Sequence, residues 1–126
     1  MIGTHHLLDL YSVDSHSLTD LELIRDALRG ACAAGHFTTL SEHIHTFPEG
    51  GITAILLLAE SHISIHTYPE HRYAAIDLFS CGAQARPEAA IQHLITALAP
   101  AHHTRSVSTR GEGICARPLP AHIYNS

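Results

Sequence analysis

The sequence has little of several things that would place it at once. In 126 residues there is no tryptophan, one methionine and three cysteines. Three is an odd count, and Cys32, Cys81 and Cys115 are widely spaced. That argues against a disulfide framework and predicts a reducing, cytoplasmic setting. Lysine and arginine together number only 7, against 12 aspartates and glutamates, for a formal charge of −5 with histidine neutral. With no basic run, neither nucleic acid nor an anionic membrane is an expected partner. No apolar run nears the ~20 residues that a membrane-crossing helix needs. Met1-Ile2-Gly3-Thr4-His5-His6 lacks the charged start and apolar stretch of a secretory signal. Internal repeats and low-complexity segments are also missing. What remains is 45% hydrophobic, enough for one core, at a length that fits a single domain over 1–126. Histidine, at 13 residues, is the one excess.

Taken in order, His6 to Tyr11 reads as a first strand with Leu8 and Leu10 on one face. Asp14-Ser15-His16-Ser17 reads as a turn. Ser17 with Asp20 resembles a capping box and opens a helix over about 18–34, striped by Leu21, Ile24, Leu28 and Ala31 and stopped by Gly35. Phe37 to Phe47 reads as a strand and Pro48-Glu49-Gly50-Gly51 as a loop. Ile52 to Ala59 is almost wholly apolar, which predicts a central strand buried on both faces. After the turn Pro69-Glu70-His71-Arg72, Tyr73 to Cys81 alternates with Ala75, Asp77, Phe79 and Cys81 on one side. Pro87 opens a second helix striped by Ile91, Leu94, Ile95 and Leu98 and ended by Pro100. A last strand over 103–109 and an irregular tail, 111–126, complete the chain. Strands with two amphipathic helices predict an α+β two-layer sandwich, a mainly antiparallel sheet with helices on one face.

The most unusual stretch is Ala59-Glu60-Ser61-His62-Ile63-Ser64-Ile65-His66-Thr67-Tyr68-Pro69-Glu70. Period-two alternation puts Ile63 and Ile65 on a core face and His62, Ser64 and His66 on the other. A strand face with a hydroxyl and two imidazoles suits the wall of an active site. This block, with Tyr73-Ala74-Ala75-Ile76-Asp77-Leu78-Phe79-Ser80-Cys81-Gly82 after it, resembles the bacterial and archaeal S-adenosylmethionine decarboxylases. The likeness is dense over 59–82 and looser over about 4–110.

The resemblance implies a pyruvoyl enzyme of spermidine synthesis that cuts itself between Glu60 and Ser61, leaving a 1–60 β chain and a 61–126 α chain. Ser61 Oγ would attack the preceding carbonyl to form an ester. Elimination, with His66 as the matching base, and hydrolysis would then turn Ser61 into the pyruvoyl group. That ketone would form a Schiff base with S-adenosylmethionine and act as electron sink. Cys81 matches the family's proton donor, and Phe47 and Glu70 match the positions that stack on the adenine and hold the ribose. Thr53 stands where the family has a serine that supports processing. The family's protomers pair sheet to sheet as an αββα homodimer, with the pyruvoyl and cysteine from one subunit. The phenylalanine, threonine, histidine and glutamate would come largely from its mate. Other departures are Tyr68 where tryptophan is commoner, His71-Arg72 beside Glu70, and the tail.

Three other readings stand beside this one. The same chemistry on arginine or ornithine would need loss of the adenine stack or ribose carboxylate, and Phe47 and Glu70 are both present. An unprocessed partner subunit would not need Ser61, His66 and Cys81 together. A metal-binding module would use His43 with His45 and His62 with His66, though CxxC and HExxH are absent and no metal ligand set is expected.

Overall fold

The computed structural model of the chain describes residues 1–114. It begins with strand β1 (Gly3–Tyr11), a one-turn helix α1 (Ser15–Leu18) and the longer α2 (Leu21–Ala34). Three strands follow: β2 (Thr39–Thr46), β3 (Ile52–Leu58) and β4 (Ser61–Tyr68). A single 3-10 turn, Pro69–His71, leads into β5 (Tyr73–Cys81), then α3 (Pro87–Leu98) and β6 (His102–Arg110). The strands form one sheet in the order β2-β3-β4-β5-β1-β6, with every neighbouring pair antiparallel. This is the α+β architecture expected from the sequence. Among the described residues no helix is long and apolar enough to cross a membrane.

The helical segment differs in detail from the expected single helix over 18–34. Asp14 accepts the N–H of His16 and caps α1, and Asp20 accepts the N–H of Leu23 and caps α2. Each aspartate satisfies a first-turn donor, worth about 1 kcal/mol. Asp20 is therefore the cap itself, not the third residue of a box begun by Ser17. In the segment expected to be a turn, Asp14 to Ser17, the last three residues are already helical.

Both main helices lie on one face of the sheet. Ile24, Leu28 and Ala31 of α2 and Ile91, Leu94 and Leu98 of α3 are buried against Leu8, Leu10, Leu56, Ile63, Ile76 and Leu78. Phe37 precedes β2 and packs into this core rather than starting the strand. The expectation that β3 is buried on both faces is corrected. Its burial alternates, and Ile55 and Leu57 are 41% and 49% exposed. Among the described residues helices cover one side only, which leaves the other side of this apolar antiparallel strand exposed. Leu7 of β1, 43% exposed, shares that open face. Gly111 to Ile114 forms a turn closed by Ile114 N–H to Gly111 O at 3.2 Å. The rest of the tail expected over 111–126 lies outside the described residues.

Candidate active site

The hairpin from β3 to β4 turns at Ala59-Glu60 and delivers Ser61 as the first residue of β4. Ser61 has a φ of +147°, a region that side-chain-bearing residues enter at a cost of order 1–3 kcal/mol. The carbonyl of Glu60, on the other side of the same peptide bond, accepts two hydrogen bonds from Cys81. The backbone N–H lies at 3.1 Å and the thiol at 2.6 Å. Register explains the approach: Ser61 pairs with Ser80 across β4 and β5, so Cys81 reaches the turn. A strained residue and a doubly hydrogen-bonded carbonyl thus flank one bond.

The Glu60 side chain points inward, only 2% exposed, with one carboxylate oxygen accepting the Thr38 N–H at 2.9 Å. Among the described residues its other oxygen has no partner. Burial first, and then the Glu60 charge, push the Cys81 thiol above its ordinary pKa. A thiol held protonated serves as a proton donor rather than as a nucleophile. Gly3 of β1 pairs with Cys81, and a Cβ there would stand 2.4 Å from the Ser80 carbonyl oxygen and 3.0 Å from Cys81 Cβ. Only a residue without a side chain lets β1 approach so closely.

On the open face beside this bond, three rings meet. His5 lies 5.8 Å from Phe79 and 6.3 Å from His62, and His62 lies 6.3 Å from Phe79. The Arg110 guanidinium sits 5.9 Å from the Phe79 centroid. His62 Nδ1 is 3.5 Å from Ser61 Oγ. The sequence placed His62 on this wall but gave His5, Phe79 and Arg110 no role. The alternation of β5 was the available signal for Phe79.

A second cluster occupies the far end of β4. His66 and Thr53 are paired across β3 and β4, with Nδ1 3.1 Å from Oγ1. With Phe47, Glu49, Tyr68 and Glu70 they line a cavity of about 350 Å³. His45 meets Phe47 edge-on at 4.6 Å. Thr67 fixes the wall, donating to Leu18 O at 2.8 Å and accepting the Ile52 N–H at 2.8 Å. Glu49, which sequence reasoning passed over, gives the cavity a second carboxylate. Phe47, Thr53, His66 and Glu70 are thus brought together, as are Glu60, Ser61 and Cys81. The two groups are not. His66 lies five positions beyond Ser61 along β4, roughly 16 Å at the usual rise.

A cavity of about 510 Å³ reaches Cys81 from the helix-covered side, past His6, Ser80 and Glu88. His6 is buried, linked to Thr4 Oγ1 at 2.9 Å and to Arg105 at 2.8 Å, and Arg105 forks onto Glu88. Burial, then the Arg105 charge, lower the His6 pKa. Among the described residues no three His, Cys, Asp or Glu side chains group to hold a metal ion.

A family model described as S-adenosylmethionine decarboxylase matches residues 4–111. An S-adenosylmethionine decarboxylase proenzyme of Sulfurihydrogenibium sp. is 41% identical over 110 residues, covering 87% of this chain and 83% of the relative. The proenzyme of Aquifex aeolicus is 42% identical over 110 residues, covering 87% and 82%. The crystal structure of the Aquifex aeolicus adenosylmethionine decarboxylase superposes with a TM-score of 0.83 at 39% identity, covering 92% of this chain and 98% of that one.

Proposed function

The chain belongs to the S-adenosylmethionine decarboxylase family, and from that premise we propose how its own residues carry out the reaction. The activity is loss of the substrate carboxylate as carbon dioxide, giving the aminopropyl donor for spermidine. Before that, the backbone breaks between Glu60 and Ser61. The observation that carries this reading is the bond itself: Ser61 strained at φ +147° and the Glu60 carbonyl held by the Cys81 N–H and thiol. Donors aimed at an oxygen that gains negative charge stabilise it as an oxyanion hole does. The buried Glu60 carboxylate, tied to Thr38, keeps the turn in place while Ser61 Oγ attacks.

The product of the break fits the site. The sequence has no lysine, so no side-chain ε-amine is available for carbonyl chemistry. A pyruvoyl group derived from Ser61 would be held beside Cys81 and Ser80, and it would supply a ketone for the substrate amine and an electron sink for the loss of carbon dioxide. Cys81, kept protonated by burial, returns a proton to the carbon that lost its carboxylate. The aromatic rings of Phe47 and Tyr68 with Glu49 and Glu70 make a cavity for a bulky cation, as a sulfonium-bearing nucleoside requires. Phe47 stacks on the base and Glu70 takes the ribose hydroxyls.

The separation of the two clusters supports a homodimer. One protomer cannot bring His66 to Ser61, but a partner packed on the open sheet face can. The exposed Leu7, Ile55 and Leu57 are the apolar residues such a contact would cover. Each site then takes Ser61 and Cys81 from one copy and Phe47, Thr53, His66 and Glu70 largely from the other. Denaturing intact mass spectrometry tests the break: two chains, 1–60 and 61–126, with the second closed to Edman degradation. Ser61→Ala stays whole. Carbon dioxide release from S-adenosylmethionine by an uncut wild-type chain would overturn the reading.

A further inference from the structure

We propose that His62 is the base that starts backbone scission, taking the proton from Ser61 Oγ within the same chain. The inference rests on the self-cleavage reading above and assigns a group to its first step. That step needs the hydroxyl proton removed as oxygen attacks the Glu60 carbonyl carbon. His66 lies roughly 16 Å along its own strand and reaches Ser61 only from another copy. His62 is already there, with Nδ1 3.5 Å from Ser61 Oγ, the outer limit of a hydrogen bond. In apo structures such contacts are often long and tighten as reaction begins.

Three further observations converge on the same atoms. The Glu60 carbonyl that must be attacked is already held by the Cys81 N–H and thiol, so the acceptor of the new bond is prepared. Ser61 is strained at φ +147°, so breaking the peptide bond on its amino side relieves an existing cost. The His62 ring is not a loose surface side chain. It is half-buried, with His5 edge-on at 76° and Phe79 beside it, and Arg110 lies over the Phe79 ring. Two rings thus flank the imidazole on the sheet face that carries it.

The step balances within the chain. In the tautomer carrying its proton on Nε2, His62 Nδ1 accepts the Ser61 hydroxyl proton as the bond from Oγ to the Glu60 carbon forms. The imidazolium then gives that proton to the Ser61 nitrogen as the bond from carbon to nitrogen breaks. The result is an ester between Glu60 and Ser61 Oγ and a free amine on Ser61, with no outside reagent consumed. Elimination from that ester is a separate event with a separate base, His66 from the partner. Two histidines of one strand thus serve consecutive steps, one in its own chain and one across the dimer.

Hydroxylamine separates the steps, because it cuts an ester but not a peptide bond at neutral pH. His62→Ala and His62→Gln precursors are purified, checked for fold by circular dichroism and melting, and followed by intact mass. Self-cleavage is expected to slow by roughly 100-fold or more, the usual worth of a positioned base. The accumulated precursor is expected to resist hydroxylamine, since no ester has formed, and added imidazole is expected to speed cleavage of His62→Ala. His62→Gln fills the same space without a basic nitrogen, so it answers for the alanine variant if that one folds poorly. Wild-type cleavage rates in either folded variant would overturn the assignment. So would hydroxylamine cutting their precursors at 60/61, which would show that the ester forms without His62. Should the wild-type chain itself neither cleave nor yield to hydroxylamine, the self-cleavage reading fails first.

Discussion

Mixing two dead variants is the sharpest test of a site shared between copies. Ser61→Ala removes the scissile hydroxyl, and His66→Ala removes the histidine of the far cluster. On one chain these groups stand roughly 16 Å apart along β4, beyond direct proton transfer. Each variant alone should stay uncut and inactive. In a two-fold dimer, equal co-expression pairs the chains at random, so about half the dimers are mixed. Each mixed dimer has one site with both groups intact and one site with neither. Activity should therefore return to about a quarter of wild type, and about half of the chains that carry Ser61 should be cut. Release of labelled carbon dioxide reads the first quantity and intact mass the second. No recovery at any ratio of the two chains would refute the shared site. Cleavage of the His66→Ala chain by itself would refute the need for that histidine.

Other expectations follow from single contacts. Cys81→Ala keeps the backbone N–H on the Glu60 carbonyl, so the chain should still be cut while turnover falls by more than about 100-fold; a normal kcat would remove Cys81 as the proton donor. Gly3→Ala forces a Cβ against the Ser80 carbonyl and Cys81, costing about 1–3 kcal/mol and shifting Cys81. It should lower both Tm and turnover, and a variant with unchanged values of both would refute the close approach. His6 has a lowered pKa in the fold, so the unfolded chain takes up a proton that the fold refuses. Its share of stability is present above the unfolded value of about 6.5 and is lost as pH falls below it. The drop in Tm from about pH 7.5 to about pH 5.5 should be smaller in His6→Gln, which keeps hydrogen-bonding atoms for Arg105 and Thr4; an equal drop would show that His6 does not carry it.

The strands and their faces were legible because alternation is local. Ile63 and Ile65 inward, and Phe79 and Cys81 on the opposite side from Leu78, follow from period two alone. The burial of β3 was not legible, because an apolar run looks the same whether helices cover one face or two. The start of α2 was misread because Ser17 and Asp20 both suit a cap, and tertiary packing of the short α1 decides between them. The family likeness drew attention to Ser61, Cys81 and His66, yet not to the contact of Cys81 with the Glu60 carbonyl. That contact joins residues 21 apart and depends on the register of β5 against the hairpin. His5 and Arg110 were invisible for the same reason, since their places beside Phe79 come from the pairing of β1 with β5 and β6.

The strand order has a consequence for the proposed break between Glu60 and Ser61. The piece before the break owns β1, β2 and β3, and the piece after it owns β4, β5 and β6. In the sheet these do not form two blocks, because β1 is threaded between β5 and β6. After such a scission each fragment would clasp the other along three seams, β3 against β4, β1 against β5 and β1 against β6. The ends left at Glu60 and Ser61 would not drift off as separate peptides, and the new terminus would stay laced to the strand that bears Cys81.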